Sequence, residues 1–115
     1  MSKRPSVTGA RFAAALREMP LPGGRQLLFL KAHYQARGKI MTAGGLAEAA
    51  GYPDWNSINL HYGMLAKRIG RSLGLKNAHL GLLVEFVRPR TVTNREWIML
   101  MRPEFAEGLK AARWV

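Results

Sequence analysis

A chain of 115 residues with 18 Lys+Arg against 7 Asp+Glu carries a formal charge of +11. Such a domain repels its own copies and attracts polyanions. Hydrophobic residues make up 48% and charged residues 22%, a globular rather than a disordered balance at a length that suits one domain, and the absence of cysteine excludes a disulfide framework or thiolate zinc site and fits a reducing cytoplasm.

The opening "MSKRPSVTGARF" is basic but is followed by no long apolar run, so no secretory signal is expected. No segment approaches the roughly eighteen apolar residues of a membrane span. No strongly basic amphipathic helix flanked by exposed aromatics stands out, so an anionic membrane ranks well below nucleic acid as the polyanion.

The spacing predicts a first helix in "TGARFAAALREM". Thr8 caps it, and Phe12, Ala15, Leu16 and Met19 form its apolar face. "PLPGG" then breaks the chain, because two prolines and two glycines cannot continue a helix. "RQLLFLKAHYQAR" reads as a second helix, stopped by Gly38. "KIM" is a short extended link. Thr42 caps a brief third helix, "AGGLAEAA", ended by Gly51. Its Gly44 and Gly45 each cost about 1 kcal/mol relative to alanine, so tertiary packing must hold it. "YPDW" is a turn with Asp54 as a candidate cap, and "NSINLHYGMLAKRIGRSLG" follows as the longest helix, ending near Gly74.

Beyond "LKNAH" the period changes. "LGLLVEFVR" and "REWIMLMR" read as strands joined through "PRTVTN", an antiparallel hairpin. Pro103 suits the first turn of a closing helix, "PEFAEGLKAAR", with Trp114 and Val115 folding back on the core. No repeat, low-complexity segment or second domain is visible.

Helix, short helix, tight turn, longer helix and hairpin is the order of a winged helix-turn-helix. The expected class is therefore mainly α with a β-hairpin. The single domain, 1–115, divides into a basic arm (1–7), a helical helix-turn-helix core (8–78), a β-hairpin wing (79–102) and a closing helix (103–115). Ala47 and Ala50 in "LAEAAGY" let the next helix cross closely, and Gly51 supplies the permissive turn.

On a helical wheel Ile58, Tyr62, Leu65, Ile69 and Leu73 share the buried stripe of the long helix. Asn56, Leu60, Gly63, Met64, Lys67 and Arg71 lie opposite, with Asn59 and Arg68 on the flanks. Amides suit an adenine edge, an apolar side chain suits a thymine methyl, and Lys67, Arg68 and Arg71 suit phosphates or guanine. Gly63 lets backbone approach a groove wall or a neighbouring element. Against this, Lys and Arg late in a helix also complement its dipole, and charged faces are commonly only solvated.

Arg88, Arg90 and Arg95 flank the hairpin tip, and Lys3 and Arg4 lie in the N-terminal arm. In a winged fold these would grip the backbone or enter a minor groove; a solvated loop and an untethered tail are the plainer alternatives. Tyr62 reads as packing rather than base stacking, and Trp97 with Met99 and Met101 as core. Tyr52 and Trp55 bracket the turn before the long helix, with Trp55 half exposed.

Catalysis finds little support. His33, His61 and His79 are far apart and form no metal-spaced pair. Glu104 and Glu107 read as solvent-facing. "GGR" and "AGG" lack the rest of a phosphate loop. No enzyme activity, cofactor or metal is expected.

The "HY" of the second helix, "T..GLAEAAGY", "NLHYG.LA.RIG..LG" and the late "MRPEF...L...WV" resemble a small module that precedes HNH nuclease domains in restriction-type bacterial and phage proteins. The likeness covers most of residues 27–115. It implies a module that binds double-stranded DNA, or senses modified DNA, and targets an effector, with Asn59, Tyr62 and Gly63 as signature positions. No nuclease domain follows here, so the chain is expected to act alone or as a fragment of a larger effector. The competing expectation is an adaptor or inhibitor that binds a host nuclease or other defence protein through Leu60 and Met64, since methionine suits adaptable contacts. RNA ranks lower, because no exposed aromatic pair on a sheet offers a stacking platform.

Overall fold

The Thr8 hydroxyl accepts from the Arg11 amide at 3.2 Å and so satisfies one of the free donors at the start of helix α1 (Gly9–Arg17). The computed structural model describes residues 7–87 and 97–115. In chain order they form α1, α2 (Gly24–Gln35), β1 (Ile40–Thr42), α3 (Ala43–Ala50), α4 (Asn56–Leu73), β2 (Val84–Val87), β3 (Ile98–Met101) and α5 (Pro103–Ala111). No helix among the described residues is long and apolar enough to cross a membrane.

Local signals set most of these boundaries where the sequence places them. Gly38 takes left-handed backbone, φ 65°, just beyond α2. The Thr42 hydroxyl caps α3 by accepting from the Gly45 amide at 3.0 Å. Gly51 ends α3 with φ 77°, and the Tyr52 amide reaches back to the Ala47 carbonyl at 2.8 Å. Asp54 Oδ1 accepts from the Asn56 amide at 3.0 Å, and Gly74 closes α4 in the same left-handed conformation as Gly51.

The sheet departs from the expected two-stranded hairpin. "KIM" is not merely a link, because β1 joins the sheet as a third strand. The order is β1-β3-β2, all antiparallel. Ile40 faces Leu100 and Thr42 faces Ile98, while Val84 faces Met101 and Val87 faces Ile98. β2 is also shorter than "LGLLVEFVR" suggests. Leu80–Leu82 forms a 3-10 turn, because His79 Nδ1 accepts from the Gly81 amide at 3.0 Å and holds the chain in a local turn. Trp97 is half-buried rather than core, and packs edge-on against Phe86 with ring centroids 5.3 Å apart.

α1 and α5 lie against each other through two glycines. A Cβ on Gly108 would stand 2.5 Å from the Phe12 Cβ, and one on Gly9 would run into the Glu107 side chain. Phe12 and Phe105 meet edge to face at 5.6 Å, and Arg17 Nη2 donates to the Ala111 carbonyl at 3.1 Å. Trp114 folds back into the core and Val115 is half-buried. One core unites these helices with Phe29, Leu46, Ile58, Tyr62, Ile69, Leu83, Met99 and Met101.

Candidate nucleic-acid interface

Helix α4 divides as its spacing predicts. Ile58, Tyr62, Leu65 and Ile69 are buried, joined by Ala66 and Gly70, and Leu73 is half-buried. Gly70 is required by packing, since a Cβ there would overlap Ala78. On the opposite side Asn56, Leu60, Met64, Lys67, Arg68 and Arg71 are exposed. Leu60 keeps 60% and Met64 43% of their surface in solvent. Gly63 is half-buried, and a Cβ there would meet nothing within 4 Å. No described element therefore occupies the space above it, and Gly63 serves no close approach within the described fold.

Asn59 departs from the expected reading face. It is half-buried, and its Oδ1 is shielded from solvent without a hydrogen-bond partner among the described residues. A two-bond grip on an adenine edge needs both ends of an amide, so in this rotamer only Asn56 presents one outward. Arg88, Arg90, Arg95, Lys3 and Arg4 lie outside the described residues.

Residues 55–84 contain no Asp or Glu. No ion pair joins Lys67, Arg68 or Arg71 to a carboxylate among the described residues, although two carboxylates reach α4 from outside this stretch, Asp54 at the Asn56 amide and Glu18 at the Ser72 hydroxyl, 2.7 Å. Some cations elsewhere are tied to the fold. Arg102 bonds Glu85 at 3.1 Å and the Gly81 carbonyl at 2.8 Å, and Arg11 reaches the Leu73 carbonyl at 3.4 Å. Lys67 and Arg71 border a shallow hollow of about 260 Å³ with Leu75, Asn77 and Ala78. The exposed Lys76 follows α4 closely, and the same acid-free run would have singled it out.

The structure also assembles a surface stack that no local pattern announces. The Arg25 guanidinium lies 5.7 Å from the centre of the Tyr52 ring, which stacks on His61 at 5.1 Å and 22°. Desolvation raises the Tyr52 hydroxyl above its ordinary pKa, with Arg25 opposing. Beneath this stack, His33 sits wholly buried, its ring nitrogens 2.6 Å from the Tyr62 hydroxyl and 2.9 Å from the Met99 carbonyl. Burial pushes His33 below the usual histidine range, against the opposing pull of the Met99 carbonyl. Burial also raises Tyr62 well above the ordinary tyrosine value, so its hydroxyl stays neutral.

Comparison with known proteins returns no matching family model and no significantly similar curated protein or solved structure. The likeness to modules preceding HNH nucleases therefore stands on the motifs quoted above alone.

Proposed function

We propose that this chain is a non-catalytic module that binds double-stranded DNA with a winged helix-turn-helix architecture. In that reading α2, α3 and α4 are the helical core, α4 is the reading helix, and β2–β3 is the wing. The strand order β1-β3-β2, with β1 between α2 and α3, supports the assignment. The observation that carries it is the exposed outer side of α4, where Lys67, Arg68 and Arg71 stand in a stretch without carboxylates. Lysine and arginine there would hold phosphates, and Asn56 would meet base edges. The lack of cysteine suits work in a reducing cytoplasm. Sensing of sequence or base modification, and delivery of a nuclease effector, rest on the motif resemblance.

Titration of the chain against duplex DNA, methylated duplex and RNA at a series of salt concentrations tests the reading. If about four to six phosphates are neutralised, log affinity falls against log salt with a slope of about −4 to −5. A flat response overturns it.

The exposed Leu60 and Met64, with Leu21 and Leu28 exposed elsewhere, favour a second reading. This is an adaptor or inhibitor that docks on a nuclease or other defence protein. Pull-down after nuclease treatment separates the two, since a protein partner retained without nucleic acid favours the adaptor.

A further inference from the structure

Leu60 and Met64 are the feature of α4 that phosphate binding leaves unused. They stand one turn apart on the exposed side, among Asn56, Ser57, His61, Gly63, Lys67 and Arg68 at the neighbouring helical positions. Burial of two apolar side chains beside the cations Lys67, Arg68 and Arg71 needs an apolar partner set inside a polyanion. In duplex DNA the major groove offers one apolar feature on the base edges, the C5-methyl group of a pyrimidine.

We infer that Leu60 and Met64 read C5-methyl groups, so that the DNA preferred by this chain carries methyl-bearing pyrimidines under the middle of α4. The inference rests on the DNA-binding reading above. Four residues of helix rise about 6 Å, close to two base steps of about 3.4 Å. The two side chains therefore meet methyls on neighbouring or next-neighbouring base pairs. Gly63 lies between them in sequence, and among the described residues the space where its side chain would project is open. The helix backbone can thus settle into the groove far enough for short apolar contacts. Lys67 and Arg71 lie about 10 to 16 Å further along the axis from Leu60, where they reach phosphates at the groove edge. The neighbouring cations Lys67, Arg68 and Arg71 favour a polyanion over an apolar protein surface as the occupant.

The test uses the full chain and random-sequence 20-base-pair duplex pools. One pool is ordinary, one carries deoxyuridine for thymidine, and one carries deoxyuridine together with 5-methylcytosine for cytosine. These changes leave charge and base pairing intact and move only the methyl groups. Each buried methyl is worth about three- to fourfold in affinity. The ordinary pool should therefore bind about tenfold tighter than the deoxyuridine pool if both methyls are read. Recovery in the 5-methylcytosine pool assigns the reading to the methyl itself, and failure to recover assigns it to thymine within its A·T context. The L60A/M64A variant, altered only at exposed positions, should keep the salt slope and lose the discrimination.

Equal affinity for the ordinary and deoxyuridine pools, with a steep salt slope, overturns the methyl reading while DNA binding stands. It leaves Leu60 and Met64 to a protein partner. Discrimination that survives in L60A/M64A overturns it as well, since the methyls are then read elsewhere. No binding to any pool removes the DNA-binding reading and this inference with it.

Discussion

His33 Nδ1 stands 2.6 Å from the Tyr62 hydroxyl, with Nε2 of the same ring 2.9 Å from the Met99 carbonyl. A carbonyl only accepts, so Nε2 carries the proton and Nδ1 accepts from the Tyr62 O–H. One neutral imidazole thereby ties α2, α4 and β3 together in the core and fixes how α4 is set against the sheet. Tyr62→Phe keeps the edge-to-face contact with Phe29, 5.0 Å between ring centres, and removes only the donor. The orphaned Nδ1 should cost about 1–3 kcal/mol. Urea unfolding should show a lower midpoint at an unchanged slope.

The same histidine makes stability depend on pH. Its folded pKa lies below 6.5 because burial penalises the charged ring. Below pH 6.5 the unfolded chain binds the proton more readily than the folded one, so stability rises with pH through this window. The His33 contribution is fully present above 6.5 and is lost as pH falls from there through the folded pKa. Unfolding at pH 7.5 and pH 5 should show a loss on acidification that is smaller in His33→Gln, a variant less stable than the parent at pH 7.5.

Gly63 and Gly108 should respond to alanine with opposite signs. At Gly63 the new methyl meets nothing within 4 Å among the described residues, and the helix interior gains about 1 kcal/mol of propensity. Gly63→Ala should melt higher yet bind DNA more weakly, because the methyl enters the space assigned to the groove.

Gly108→Ala gains the same propensity but drives its methyl to 2.5 Å from the Phe12 Cβ and 3.1 Å from the Ala13 amide nitrogen. Overpacking between α1 and α5 should cost about 1–3 kcal/mol net. Thermal melting of the two variants side by side checks the contrast.

Lys67→Ala and Arg71→Ala should each weaken binding to all duplex sequences alike and reduce the salt slope by about one. Both side chains are exposed, so melting temperature should hardly move. A variant that weakens one sequence far more than another would assign that side chain to a base edge.

What the sequence alone determines here is what acts over a few residues. Thr8 and Thr42 each satisfy an amide three positions on, and Gly51 and Gly74 supply the left-handed turns that end their own helices. Helix boundaries could therefore be read off locally, as could the charge and the division of α4 into a buried and an exposed side. The tertiary structure decides what needs a partner far along the chain. β1 becomes a strand because β3 offers it an edge. Asn59 sits at the border of the α4 faces, where the surrounding fold rather than the helical period sets its exposure. His33, one histidine among polar and apolar neighbours in sequence, becomes a buried link only because Tyr62 and the Met99 carbonyl converge on it. Capping bonds and helical period are properties of adjacent backbone, whereas burial and the pairing it demands depend on which distant surfaces close over a residue.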